Sequence, residues 1–342
     1  MPDRMTPRER AGAFFSGQPV DRHLCVPLIL NHAARVAGIT VSSHARSGEL
    51  MGRAHAAAFR RYGQDLVTIF SNTALLAEAL GTRLYYPDDD VPRFDAPAVA
   101  SPEQAADLAP VGPDAGRLPG TLEAIQTANA EVGEEVIVSC CYAAPFTTAA
   151  LLMGADRFAR VLTKHPEAAH QLLAAALQTT LDFTSAVLAA GGLPVVVDPL
   201  ASCSFLGPRQ YAEFAAPYTE PLIAAIHAAG LPAVLHICGR SNLIWSQMAD
   251  SGADCLSIDK EDLAEVKAGI QDRVSLFGNV APVAALLCGT PQSVTESVRQ
   301  CLATAGDAAH GFIVGSGCEV PLETPPENLD AMIAAVRQYG TM

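Results

Sequence analysis

The sequence predicts an α/β protein folded as a single (β/α)8 TIM barrel, with an N-terminal helix before the first strand and an irregular insertion after the second. Three observations carry that expectation. Eight short apolar runs rich in β-branched residues recur along the chain, and helical stretches separate them. Repeated strand–helix units imply a parallel sheet, and eight of them are enough to close a barrel. The length of 342 residues suits one decorated unit, since such barrels run past about 250 residues. A doubly wound open sheet is the alternative.

The elements follow in order. Thr6-Pro7-Arg8-Glu9 opens a helix, with Thr6 as cap, Pro7 at the first position and Glu9 completing a capping box. Strands are expected at Leu24–Leu30, Asp65–Phe70, Val136–Cys140, Pro194–Asp198, Ala233–Ile237, Asp254–Ile258, Val274–Gly278 and Gly311–Val314. Helices are expected at about Ser43–Tyr62, Leu122–Glu131, Ala155–Ala190, Pro208–Ala229, Ser241–Asp250, Leu263–Ile270 and Pro291–Ala305. A last helix follows Thr324-Pro325-Pro326-Glu327. Residues 82–121, which include Asp88-Asp89-Asp90 and a Pro/Ala-rich stretch without periodicity, are expected to be a surface excursion from one domain spanning residues 1–342.

Composition removes whole classes of function. The chain is 50% hydrophobic and 17% charged, with 22 Lys+Arg against 36 Asp+Glu and a formal net charge of −14. Disordered chains are poor in apolar residues, and nucleic-acid binders carry a basic excess. No run approaches the roughly 18 uninterrupted apolar residues of a membrane span, and Met1 to Thr6 has no apolar signal core. A cytoplasmic protein is therefore expected, with its nine cysteines serving as thiols or metal ligands and not as disulfides.

Barrel chemistry sits at the carboxyl ends of the strands, and those positions are polar here. They are Asn31 and His32, Ser71 and Asn72, Cys140 and Cys141, Asp198, His236 and Cys238, Asp259 and Lys260, Asn279, and Cys318. His236 and Cys238 lie two apart and so point to one side of their strand. Cys318 follows the eighth strand at the same rim. One imidazole and two thiolates form a borderline-soft set matched to Zn²⁺, and three protein ligands leave a fourth position open for catalysis. The other reading, a hydrogen-bonded core histidine with two small buried thiols, stands beside it. Asp198 is either a catalytic or supporting carboxylate or a helix cap; His32 and Glu78 are further pocket candidates. Phosphate loops, nucleophile elbows and dinucleotide fingerprints are absent.

Several segments carry a resemblance. Asp198-Pro199-Leu200-Ala201-Ser202, the stretch from Leu206-Gly207-Pro208 to Phe214, Leu235-His236-Ile237-Cys238-Gly239, Asp272-Arg273-Val274 through Gly278-Asn279-Val280, Gly317-Cys318 and Thr324-Pro325-Pro326-Glu327-Asn328-Leu329 are similar to the uroporphyrinogen decarboxylase superfamily. Within it they resemble the zinc-dependent corrinoid methyltransferases, of which the methylcobamide:coenzyme M methyltransferases are best known. The resemblance is dense from about Val136 onward and loose before it.

It implies a barrel whose Zn²⁺ is held by His236, Cys238 and Cys318. It also implies methyl transfer between a corrinoid (cobalamin) on a partner protein and a zinc-activated thiol such as coenzyme M, with Asp198, His236, Cys238 and Cys318 catalytic and with Asn279 and His32 toward the cofactor. A coordinated thiol is deprotonated at neutral pH, and the thiolate is the nucleophile. Demethylation of a methyl ether onto cobalamin is a variant of that activity. A metal-free decarboxylase using Asp198 is a second expectation, and a non-catalytic corrinoid-binding scaffold a third. The segment from Val26 to Arg35 lacks the arginine-rich motif with which the decarboxylases hold a polycarboxylate, and only Arg22 and Arg35 lie near it. The oligomeric state is left open.

Overall fold

Parallel strands covered by helices outside and by side chains inside read as unbroken apolar runs, and the eight runs become the eight staves of one barrel. The computed structural model describes residues 3–271 and 273–342; Asp272, of the Asp272-Arg273-Val274 motif, lies outside them. In chain order the strands are β1 (Leu24–Leu28), β2 (Leu66–Ile69), β3 (Arg83–Tyr85), β4 (Arg93–Ala96), β5 (Ile137–Ala143), β6 (Leu193–Val197), β7 (Val234–Ile237), β8 (Cys255–Ile258), β9 (Ser275–Val280) and β10 (Phe312–Glu319). Hydrogen bonding runs β1-β10-β9-β8-β7-β6-β5-β2, all parallel, while β3 and β4 form a separate antiparallel hairpin.

Strand parity divides the core in two. Leu24, Val26, Leu28 and Leu30, then Val195 and Val197, then Val234, Cys255, Phe277 and Ile313 meet inside the barrel. The alternate residues Cys25, Ile29, Val196, Leu235, Ile237, Leu256, Ile258 and Leu276 pack outward under the helices. The period of two is set by the pleat.

Asp65 closes the seam between β1 and β2. Its N–H donates to the Cys25 carbonyl at 2.9 Å, and its carboxylate accepts the Cys25 N–H at 2.7 Å. The same carboxylate takes Arg10 Nη1 at 2.6 Å and Arg22 Nη1 at 2.7 Å. Arg10 also binds Asp21 at 2.6 Å, and Arg22 binds Asp3 at 2.9 Å. This buried network lies at the amino-terminal end of the strands, opposite the polar rim.

The opening helix spans Pro7–Phe15 and carries the expected capping box. Two long expected helices are divided. Ala155–Ala190 becomes Ala155–Lys164 and Pro166–Ala189, because Pro166 drives His165 out of the helical region. Ser43–Tyr62 becomes Val41–Arg46 and Gly48–Tyr62, with Ser47 Oγ accepting the Leu50 N–H at 3.2 Å. The eighth strand runs on to Glu319, so Cys318 lies within it. The hairpin β3–β4 and a turn of 3₁₀ helix at Pro102–Asp107 give structure to a stretch with no periodicity. Val99 N–H donates to Leu152 O at 2.9 Å and anchors that stretch.

The helix Pro166–Ala189 is, by length and composition, apolar enough to cross a membrane, although Gln171, Gln178 and several threonines interrupt its apolar runs. Half of its most apolar window is buried, against the helices Pro145–Met153 and Ala216–Ala228. All nine cysteines are free thiols.

Two buried histidines predict an acid sensitivity. His44 and His55 sit with ring centroids 5.4 Å apart, and both His44 ring nitrogens and His55 Nε2 have no partner among the described residues. Burial lowers His44 to about 4 from an ordinary 6.5, and burial with the neighbouring His44 pushes His55 well below its ordinary value. Between about pH 4 and pH 6.5 the unfolded chain therefore binds more protons at these sites, so stability rises with pH across that window. Urea midpoints are expected to be lower at about pH 5 than at about pH 7. The difference should shrink in His55→Leu; an unchanged difference would refute the assignment.

Candidate metal centre

β7 delivers His236 to the barrel interior, and Cys238, two residues on, reaches the same side just past the strand. β10 brings Cys318 to meet them. His236 Nε2 lies 2.8 Å from Cys238 Sγ, and Cys238 Sγ lies 3.1 Å from Cys318 Sγ. All three ligand atoms fall within 4.8 Å of one another. His236 is buried, and the two cysteines are half-buried.

The ring is oriented from behind. His236 Nδ1 meets Ser257 Oγ at 3.0 Å and the Ser257 carbonyl at 3.2 Å, which turns Nε2 toward the thiols, the outer-shell arrangement that metal-binding histidines use. The two thiols are shifted in opposite directions. The hydrogen bond from Cys238, with a further one from His236, pulls Cys318 below the ordinary thiol value. The same bond together with burial pushes Cys238 above it. Two soft sulfurs, one of them pulled toward the thiolate form, and an oriented imidazole nitrogen fit a zinc ion by the chemistry of the donor set.

Two glycines make this approach feasible. A Cβ on Gly317 would lie 3.0 Å from both Asp259 O and Oδ1; one on Gly315 would lie 1.9 Å from Phe277 Cε2 and 2.9 Å from Val26 O. Gly315→Ala is expected to cost about 1–3 kcal/mol by overpacking, read as a lower urea midpoint. Gly12→Ala, at an exposed helical site with nothing within 4 Å of the added Cβ, is expected to raise it by about 0.5–1 kcal/mol.

The three donors border a cavity of about 90 Å³ whose walls include Leu28, Leu30, Phe70, Val195, Val197 and Phe277. Glu319 also reaches it. Burial raises the Glu319 carboxyl to about 7 although Asn31 donates to it from both N and Nδ2. Thr73, Cys141 and Ser257 are further polar points in the lining. Cys141 was among the expected rim residues, whereas Thr73, Ser257 and Glu319 were not. The available signal was inward parity, which Cys141 and Ser257 share with their apolar neighbours.

Other expected site residues are placed elsewhere. Asp198 does not line the cavity: Val195 and Val197 face inward, so the next residue faces out. Its Oδ1 accepts the Thr147 N–H at 2.9 Å and Oγ1–H at 2.6 Å, holding the first turn of Pro145–Met153. Burial raises its carboxyl to about 7, against the pull of those two bonds. Asn279 Nδ2 donates to the carbonyls of Asp259 (2.9 Å) and Glu261 (2.7 Å). That loop in turn accepts the Gly239 N–H on Asp259 Oδ2 at 2.9 Å, so Asn279 frames the loop after Cys238 from outside the cavity. His32 is tied to the Leu322 carbonyl at 3.0 Å and to the Tyr62 hydroxyl at 3.2 Å, a clamp on the segment after β10. Glu78 accepts from Tyr86 OH at 2.7 Å and Arg117 Nε at 2.9 Å.

Comparison with known proteins agrees with this architecture. The chain is 28% identical over 346 residues to the methylated-thiol–coenzyme M methyltransferase of Methanosarcina mazei, covering 99% of this chain and 91% of that protein. It is 28% identical over 348 residues to the methylcobamide:CoM methyltransferase MtaA of Methanosarcina barkeri, covering 98% of each. The uroporphyrinogen decarboxylase of Psychromonas ingrahamii is 27% identical over 82% of this chain and 80% of its own length. A solved methyltransferase from Methanosarcina mazei superposes with a TM-score of 0.89 over 98% of this chain and 99% of that one, at 24% identity, and so shares the fold. The uroporphyrinogen decarboxylase (URO-D) family model matches residues 6–339, which is the whole barrel from its capping residue to the end of its last helix, and the chain belongs to that family.

Proposed function

We propose that this protein is a cytoplasmic zinc-dependent methyltransferase that moves a methyl group between a corrinoid on a partner protein and a small thiol. The observation that carries the reading is the convergence of His236 Nε2, Cys238 Sγ and Cys318 Sγ on one apolar cavity. The relatives named for methylcobamide and coenzyme M support it. His236, Cys238 and Cys318 would hold the zinc, which when bound supplies the Lewis acidity that favours the thiolate form of a thiol.

The remaining work belongs to the chain. Ser257 keeps Nε2 of His236 on the cavity side. Asp259 and Asn279 hold the Gly239 loop, and so Cys238, in register. The leucine, valine and phenylalanine walls exclude water, which strengthens every electrostatic contact inside. In the transfer the thiol would lose its proton and its sulfur would gain the methyl group, while the methyl–cobalt bond of the partner's corrinoid breaks and leaves its electron pair with the corrinoid. A tetrapyrrole polycarboxylate would need cations, and no lysine or arginine is among the described residues lining this cavity. The decarboxylase reading is weaker for that reason.

The test is metal analysis of the purified protein together with the absorbance of methylcobalamin in the presence of a thiol. About one zinc per chain and thiol-dependent demethylation are expected. A metal-free preparation with full activity overturns the reading.

A further inference from the structure

We infer that Cys238 and Cys318 are a redox pair: a hydroperoxide that reaches the cavity joins them as a disulfide and so removes two of the three donors of the centre. The release of metal rests on the metal reading above, whereas the closure of the pair does not. It is carried by the contact between the two sulfurs, by the space in front of them and by the freedom of the loop that holds Cys238.

Cys238 Sγ and Cys318 Sγ lie 3.1 Å apart, so a bond of about 2.0 Å needs an approach of only about 1 Å. Among the described residues no other pair of cysteine side chains is in such contact. Cys140 and Cys141 are neighbours in sequence but face opposite sides of β5, Cys140 packing outward and Cys141 inward. The two sulfurs border the cavity of about 90 Å³. Since a water takes about 30 Å³ of liquid, hydrogen peroxide fits beside them. The approach falls to Cys238. It lies just past the end of β7 at Ile237, and Gly239 after it has a φ of 71° and open space around the place of a Cβ. Cys318 is held within β10, where Gly317 packs against Asp259.

As metal ligands both sulfurs are held as thiolates, the form that attacks a peroxide. One sulfur takes an oxygen of hydrogen peroxide: an S–O bond forms, the O–O bond breaks, and hydroxide leaves with the electron pair. The second sulfur attacks the sulfenic sulfur so formed. The S–S bond forms, the S–O bond breaks, and a second hydroxide leaves. Two protons from solvent turn the hydroxides into water; the two sulfurs together have lost two electrons, and the peroxide has gained them. The thiolate, not the disulfide, is the metal ligand, so His236 is left as a lone donor and the metal departs. A dithiol reductant reverses the closure by exchange. In reducing surroundings such a disulfide is transient and serves as a sensor.

The test exposes the purified full-length protein, its metal content measured beforehand, to hydrogen peroxide. Intact mass, peptide mapping without reductant and free zinc, read with a chromogenic chelator, are followed on the same samples. Expected are a mass loss of about 2 Da from one new disulfide, a cross-linked peptide joining Cys238 to Cys318, and release of about one zinc per chain. Dithiothreitol with added zinc should reverse all three. Cys288→Ser, which removes the one exposed thiol and with it cross-links between chains, should give the same result. Recovery of both cysteines as thiols, their separate oxidation to sulfinic or sulfonic acids, or a bridge from either to Cys141 overturns the inference. If the protein carries no zinc and the Cys238–Cys318 bridge still forms, the metal reading fails and the redox pair stands. If zinc is bound and no bridge forms, the metal reading stands and the inference falls.

Discussion

Cys318→Ser is expected to strip the protein of zinc and to lower methyl transfer by more than about 100-fold, the upper loss seen when even an outer-shell partner of a metal site is removed. Cys318 is the sulfur that the surrounding hydrogen bonds favour as the thiolate, and a serine hydroxyl at neutral pH offers no comparable soft anion. Cys238→Ser should behave alike, since it leaves His236 and a single thiol. Ser257→Ala is expected to do less, about 10- to 100-fold in metal affinity, because it removes only the bond that orients the ring. Metal content after dialysis against a chelator, measured beside methylcobalamin absorbance, ranks the three variants. Retention of full metal and activity by Cys318→Ser would remove the centre from the mechanism.

Asp65→Ala is expected to cost about 3–5 kcal/mol of folding stability, the usual price of breaking a buried ion pair from one side. The carboxylate receives Arg10, Arg22 and the Cys25 N–H at once. Its loss leaves two guanidiniums competing for Asp21 and Asp3 and deprives the β1–β2 seam of its side-chain stitch. The control is Glu296→Ala, which breaks an exposed pair with Arg299 at 3.1 Å and should fall within about 1 kcal/mol of the parent. Urea unfolding followed by circular dichroism compares the two. An Asp65→Ala midpoint equal to that of Glu296→Ala would mean that the network is structurally idle.

The eight staves and the terminal helices were legible because each has a local cause. Apolar β-branched runs have few alternatives to buried strands, and Thr6 with Pro7 and Glu9 satisfies the first orphan N–H groups of a helix without help from elsewhere. The His236–Cys238–Cys318 cluster was legible for a similar reason: the spacing of His236 and Cys238 is a parity statement, and Cys318 falls at the end of the strand that closes the same barrel. Asp198, Asn279 and His32 read just as plainly as rim residues, yet they hold a helix start, a loop and a chain segment in place.

The sequence by itself determined the barrel, its order of strands and helices, and the chemical identity of the donor set. Only the tertiary structure decided which rim residues face inward, because a strand buried on both faces is apolar at every position and carries no mark of its inner side. The cavity wall, assembled from residues on or just past β1, β2, β5, β6, β7, β8, β9 and β10, and the stitch of Asp65 across the seam join residues far apart in the chain. Their proximity is set by closure of the sheet, a long-range constraint that no local pattern of residues encodes.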